Sequence, residues 1–331
     1  MLEKNSFGNV DPSPVCLVAV IVSFNRLSHL KRGITAVLSE PVVGVVVVDN
    51  GSTDGSREWL RGLDDSRLRV LTPEQNLGGA GGFQVGFEAA LESFNPDWLV
   101  CFDDDAQPSP GALTNFMKND LSGIDGAAAA VYYPDGSICE MNRPSWNPFW
   151  HAKLLVKTVF GAMTGQSREG FHLGNEYYQS ESSVDIDSSS FVGCFITAET
   201  VRRIGLPRGE LFIYGDDIIY TLSLRQKGGR HVFLPNVRFI HDCSTFSGST
   251  SSCYSPMWKA YYTYRNGLVM YRIASGAWFP LVLPVKLLGW VLAVRHYNEK
   301  RRYLHLCWSA LRDALRKHPG CSHDELVRRY P

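Results

Sequence analysis

Residues 15–24, VCLVAVIVSF, carry no charged side chain. A short run that is apolar at successive positions, rather than at every second one, reads as a strand buried on both faces of a parallel sheet. Val42 to Val48 and Trp98 to Phe102 repeat the pattern, and Arg67 to Leu71 makes a further short strand. Between them lie helix-length stretches: one from about Ser28, one carrying Trp59 and Leu60, and one ending near Leu91. Strands alternating with helices in this way define an α/β domain with a mostly parallel sheet.

Ligands of such sheets bind at the carboxyl ends of the strands. Each run ends in a polar cluster: Ser23-Phe24-Asn25-Arg26, then Asp49-Asn50-Gly51-Ser52, then Asn76-Leu77-Gly78-Gly79, then Asp103-Asp104-Asp105. Four polar ends on one edge describe a site. Alternation along a strand puts Asp103 and Asp105 on one side and Asp104 on the other. Two carboxylates held close repel unless a cation lies between them, and hard divalent ions favour such oxygens. The alternative is an acidic turn that meets water. Asp49 is placed to accept hydrogen bonds from a base or ribose; as an alternative it forms the turn, while Asp54 or Ser56 caps the next helix. Four of the five residues from Gly78 to Gly82 are glycine. They permit close backbone approach to a ligand, with N–H groups ahead of a helix available to phosphate or sugar. A dinucleotide-binding reading fits poorly, because that glycine fingerprint follows the first strand and this cluster follows the third.

At 331 residues the chain has room for about two domains. Lys and Arg together equal Asp and Glu, 33 of each, which gives no electrostatic footprint for nucleic acid. The eight cysteines form no CxxC pair, and Cys16, Cys101 and Cys194 sit in apolar runs as buried thiols, consistent with a reducing compartment. The first residues lack the apolar stretch of a signal peptide, so the cytoplasm is the expected location.

Residues 108–137 read as a helix and then a strand, Ala127 to Tyr133. The stretch 141–190 is aromatic and weakly periodic, with Trp146, Phe149, Trp150, His151, Phe160, Phe171, Tyr177 and Tyr178. It reads as sugar-stacking loops or as a satellite hydrophobic cluster. Val184 to Thr197 suggests paired strands, followed by a helix from Ala198 to Ile204. A second acidic pair, Asp216-Asp217, opens a helical run to Gln226, and Val232 to Ile240 is a further strand ending in His241. The Gly/Ser/Thr-rich segment Ser244 to Ser252 reads as a lid.

The ordered set Ser-Phe-Asn-Arg (23–26), Val-Val-Asp-Asn-Gly-Ser-Thr-Asp-Gly-Ser (47–56) and Asp-Asp-Asp (103–105) resembles the inverting family 2 glycosyltransferases of the GT-A fold. Asn-Leu-Gly-Gly-Ala-Gly-Gly-Phe (76–83) narrows it to the branch holding bacterial galactofuranosyltransferases and related rhamnosyltransferases. The resemblance covers about residues 15–245. It implies a GT-A catalytic domain over 15–250, with a nucleotide half to about 107 and an acceptor half beyond. A tail over 1–14 precedes it and a helical region over 251–331 follows. It implies donor contacts from Ser23, Asn25, Asp49, Asn76, Gly78 and Gly79, with Asp104 towards the sugar or ribose. Asp103, Asp105 and His241 are implied ligands of Mn²⁺ or Mg²⁺, Asp217 the catalytic base, and Asp216 its partner in positioning the acceptor. Relatives often carry another acid two residues after the base, where this chain has Ile219. The Gln-x-x-Arg-Trp motif of processive synthases does not occur.

The implied reaction moves a sugar, galactofuranose from UDP-galactofuranose first, to a glycan or lipid-linked acceptor of a bacterial surface polysaccharide. The alternatives are rhamnose from dTDP-rhamnose, a nucleotidyltransferase, and a non-catalytic sugar-nucleotide-binding protein. Near the C-terminus, Tyr261, Tyr262, Tyr264, Arg265 and Asn266 resemble a segment that follows the catalytic domain in this branch. Residues 277–294 are the most apolar stretch and are followed by basic residues, which suits peripheral contact with the inner face of an anionic membrane. A dimer interface, a packed helical cap or a true span are the alternatives.

Overall fold

The computed structural model describes residues 15–164, 170–245, 253–316 and 320–331. The tail over 1–14 and most of the expected lid, residues 246–252, lie outside the described residues. The first half runs β1 (Leu17–Ser23), α1 (Leu27–Leu38), β2 (Gly44–Asp49), α2 (Ser56–Arg61), β3 (Leu68–Leu71), α3 (Gly78–Phe94) and β4 (Trp98–Asp103). Next come β5 (Ala106–Pro108), α4 (Ala112–Lys118), β6 (Gly126–Tyr132), α5 (Ala152–Thr164), α6 (Asn175–Tyr178) and β7 (Val184–Asp185). Then follow β8 (Cys194–Thr197), α7 (Ala198–Ile204), α8 (Asp216–Gln226) and β9 (His231–His241). The chain closes with α9 (Trp258–Ser275), α10 (Phe279–Ala293), α11 (Lys300–Arg316) and α12 (His323–Arg329).

The strands form one mixed sheet in the order β3-β2-β1-β4-β8-β6-β9-β5, with β7 along β9. The pairs β1–β2, β1–β4 and β2–β3 are parallel, as the unbroken apolar runs require. Every residue of β1 and β2 is buried. One face is covered by Leu30, Ile34 and Val37 of α1 and Phe116 of α4, the other by Phe83, Phe87 and Ala90 of α3. Register pairs Ser23 with Asp49 and Val22 with Asp103, so three of the polar ends stand side by side.

One expectation needs correction. Strands flank the serines between Val184 and Thr197, but they do not pair with each other: β7 lies along β9, and β8 lies between β4 and β6. The middle is held by side chains instead: Ser189 Oγ lies 3.0 Å from His231 Nε2 and its N–H donates to Thr221 Oγ1 at 3.3 Å. Part of the aromatic stretch is a satellite cluster, while Trp150 and Phe160 are exposed. Trp146, Tyr177 and Tyr178 pack with Phe233, Ile186 and Leu173, and Trp146 Nε1 donates to the Asp185 carbonyl at 2.7 Å.

The C-terminal helices form their own core around Tyr261, Tyr262 and Tyr303, all nearly or fully buried. Its helix α9 also reaches back to the loop before α8. Arg265 Nη2 donates to the carbonyls of Glu210 and Leu211 at 2.9 and 2.8 Å. Asn266 Nδ2 lies 3.1, 2.7 and 2.9 Å from the carbonyls of Leu211, Ile213 and Tyr214. Phe212 and Tyr214 in that loop have φ of +66° and +69°, a conformation L residues hold only when their surroundings enforce it.

Candidate active site

The first acidic motif begins at the end of β4. The strand stops at Asp103, and Asp104 and Asp105 occupy a turn, so strand alternation does not govern their directions. Asp104 is 5% exposed and accepts from the Phe24 N–H at 3.0 Å. Arg26 Nη1 donates to it at 3.4 Å and also contacts Asp105, so one guanidinium bridges the two carboxylates expected on opposite sides. Asp104 therefore braces the loop after β1.

Asp105 faces His241 from the end of β9, with Oδ1 3.1 Å from Nε2. The other ring nitrogen, Nδ1, lies 2.7 Å from Asn142 Oδ1. A carbonyl oxygen can only accept, so Nδ1 carries a hydrogen and Nε2 is the nitrogen free to exchange a proton for another cation. Burial disfavours a charged ring here, but hydrogen bonds with Asp105, Cys139 and Cys243 outweigh it and push the His241 pKa up to about 12. Burial likewise works against ionised Asp105, and His241 and Arg26 overcome it to hold that carboxyl below the usual range. Asp103 has no such partner: burial and then the charge of Asp105 push it up to about 7. Asp105 and the Nε2 of His241, oriented by its far-side hydrogen bond, are hard oxygen and nitrogen donors of the kind a divalent cation takes, and Asp103 is linked to both through charge interactions.

The second acidic motif starts α8. Gly215 precedes it with φ of +77°. Asp217 Oδ1 accepts from the Ile218 N–H at 2.7 Å. Burial raises Asp217 to about 6, with the N–H groups of Ile218, Asp217 itself and Phe191 pulling the other way. Asp216 is raised well above the carboxylate range by burial and then by Asp217. Burial therefore disfavours ionisation of both members of the pair, and the negative charge of Asp217 adds to the upward push on Asp216. Asp103 interacts electrostatically with both, which brings the two acidic motifs to one site.

The remaining expected contacts divide. Asn25 is exposed after β1 with φ of +54°, and its Oδ1 accepts from the Thr53 N–H at 2.7 Å. Asn76 is half-buried and accepts from the Gly78 N–H at 2.7 Å. Ser23 and Asp49 are buried. Asp49 accepts from the Ser52 N–H at 3.0 Å and from Arg57 Nε at 3.3 Å, so its carboxylate is committed to the turn. Asp54 accepts from the first N–H of α1, Leu27, at 2.8 Å as well as from Ser56. The glycines mainly serve packing. A Cβ on Gly78, at φ +70°, would lie 2.2 Å from the Phe212 carbonyl oxygen, and those on Gly82 and Gly86 would meet Val22 and Val20. Gly79 alone of this cluster has open space around its Cβ position.

Close packing of Gly78 on the loop that leads to Asp217 has a measurable consequence. Gly78→Ala adds left-handed strain on the order of 1–3 kcal/mol and displaces Phe212. It should lower both the melting temperature and turnover, whereas Gly79→Ala should leave both near wild type. Thermal unfolding and a nucleotide-release assay on the two variants check this.

Arg26, Asn142 and Asn50 were not singled out from the sequence. Asn50 ties the end of β2 to the glycine loop through the Gly78 carbonyl at 2.8 Å. Around His241, the sulfurs of Cys139 and Cys243 and a ring nitrogen lie within 4.8 Å of one another. Their separations in sequence carry no local pattern that announces them.

A parallel nucleotide-type half-sheet, with acidic residues at its central strand end and a second acid pair at the start of α8, is the arrangement of the GT-A fold. Residues 18–172 match the model of glycosyl transferase family 2. The chain is 28% identical over 260 residues to galactofuranosyltransferase GlfT1 of Mycolicibacterium smegmatis, covering 75% of this chain and 80% of that protein. To GlfT2 of Mycobacterium tuberculosis it is 23% identical over 277 residues, 78% of this chain but 41% of that protein. In structure it resembles GalNAc-T7, crystallised with UDP, GalNAc and Mn²⁺, at a TM-score of 0.55 and 14% identity. That match covers 96% of this chain and 54% of the other. The chain thus spans well under two thirds of its larger relatives.

Proposed function

We propose that this glycosyltransferase transfers galactofuranose from UDP-galactofuranose to a glycan or lipid-linked acceptor in bacterial surface polysaccharide synthesis, at the cytoplasmic side of the membrane. The observation that carries the reading is an acid pair on α8, raised by burial, beside Asp103 and Asp105, in a chain resembling galactofuranosyltransferases over three quarters of its length. Asp217 accepts the proton of the acceptor hydroxyl as that oxygen bonds to the anomeric carbon. The bond from that carbon to the diphosphate oxygen breaks, the nucleoside diphosphate leaves, and the anomeric centre inverts. Asp216 donates a hydrogen bond that positions the acceptor. Asn25 and Asn76 contribute donor contacts at the ends of β1 and β3. Asp103, Asp105 and His241 would hold a divalent cation, whose chemistry there is to neutralise charge on the departing diphosphate.

The test is nucleoside diphosphate release from UDP-galactofuranose, UDP-galactopyranose and dTDP-rhamnose, each with Mn²⁺ or with EDTA and with membrane glycolipid extract as acceptor. Turnover of UDP-galactofuranose alone, abolished by EDTA, is the expected result. Turnover confined to dTDP-rhamnose would overturn the donor assignment, and pyrophosphate release would overturn the reaction class.

A further inference from the structure

The geometry points to α10 as a docking face for an anionic lipid surface, lying along the bilayer rather than across it. This builds on the proposed function only by supplying a reason for the site to stand near a lipid-linked acceptor. Not one residue of α10 is buried. Leu281, Val285, Leu288 and Leu292, spaced i, i+4, i+7 and i+11, form one stripe whose members are 57–66% exposed. The single charge in the helix is turned away from that stripe. Lys286 Nζ donates to Tyr271 Oη of α9 at 2.6 Å, and one turn on, Trp290 stacks on Tyr264 of α9 at 4.5 Å. The inward line thus anchors the helix, and the outward line is free of charge.

A second apolar patch joins the same end of α9. Asn147 Nδ2 donates to the Ala274 carbonyl at 2.8 Å, which fixes the start of the segment leading into α5. On α5, Val156, Val159 and Phe160 are exposed beside exposed Lys153 and Lys157.

Charge and attachment to the catalytic half select the occupant. Between Tyr271 and Arg302 the basic residues are Arg272, Lys286, Arg295, Lys300, Arg301 and Arg302, against the single acid Glu299. A second copy related by a two-fold axis would set this basic rim against itself, whereas an anionic bilayer complements it. By length and composition the helical segment from Trp258 to His296 could cross a membrane. Its first half, α9, is however fastened to the catalytic half through Arg265 and Asn266, and Lys286 and Trp290 turn one side of α10 onto α9, which holds the segment at the surface of the protein. Exposed Trp278 at the entry to α10 and the basic residues after its end suit the headgroup level of an anionic bilayer. Because α9 also grips the loop before Asp217, docking through α10 stations the catalytic base one helix away from the lipid surface.

Vesicle flotation of the full chain tests this without reference to turnover. Wild type should float with vesicles of phosphatidylglycerol and phosphatidylcholine, stay behind with phosphatidylcholine alone, and be released by alkaline carbonate. Leu281→Glu with Leu288→Glu should abolish flotation, and Lys300→Glu with Arg301→Glu should weaken it. Both variants should melt like wild type, since these side chains are exposed. No flotation of wild type, or flotation that survives carbonate as a span would, overturns the proposal. So does a wild-type dimer by light scattering that Leu281→Glu with Leu288→Glu converts to monomer. Loss of donor turnover with flotation intact would instead refute the transferase reading and leave the docking face standing.

Discussion

Asp217→Asn should lower kcat about 10³-fold while donor binding, followed by calorimetry, stays within a factor of two or three of wild type, the scale of losing one positioned general base. The amide keeps the size of the carboxylate but cannot accept a proton. The same residue sets a pH signature. With its pKa raised to about 6, Asp217 is protonated below that pH and ionised above it. Wild-type kcat should therefore fall tenfold per pH unit below about 6 and level off above it. The Asp216 carboxyl is pushed upward by burial and by Asp217, and Asp216→Asn keeps a polar group of the same size that can donate a hydrogen bond, so it should cost far less. A profile without the acidic limb, or equal losses in the two variants, would contradict the assignment of roles.

The second large effect is expected at the His241 cluster. Asp105→Ala removes a carboxylate of the proposed cation site and the partner of both His241 and Arg26, and should eliminate metal-dependent turnover. Asn142→Ala changes no proposed ligand itself. It removes the acceptor that keeps the proton on Nδ1, so the ring loses its orientation toward Asp105. The Mn²⁺ concentration for half-maximal turnover should rise about 10–100-fold, the range for such supporting partners, alongside a lower melting temperature from the buried groups left unpaired. A metal titration of both variants measures this, and an unchanged Mn²⁺ dependence in Asn142→Ala would separate His241 from the cation.

The contrast between Asp105 and Asn142 shows what was readable from the chain. The strands β1, β2 and β4 announced themselves because burial on both faces leaves unbroken apolar runs, and the polar cluster at their ends followed from the parallel arrangement. Alternation failed at Asp104 because the strand stops one residue earlier, so a turn and Arg26 set its direction. The glycines from 78 to 82 were legible as a place of close approach, but not that the approaching partner is the Phe212 backbone more than a hundred residues on. Asn142 pairs with a residue 99 positions away and sits in no periodic pattern, so nothing local marks it. The aromatic stretch was ambiguous for a physical reason: aromatic side chains suit a sugar face and a small core equally well, and only the fold decides.

The grip of Asn266 and Arg265 on the carbonyls of residues 210–214 also bears on how such enzymes diversify. A C-terminal region that merely followed the catalytic half could be exchanged between relatives at the joint after β9. Here the joint in the backbone is not the joint in the structure, because the helices hold the very turns that aim the catalytic acid pair. A chimera that imports a foreign C-terminal region must import residues 209–215 with it. Recombination in nature faces the same constraint, so the loop before the α8 acid pair and the helical region proposed to dock on the membrane would be inherited together, through two side chains on one helix.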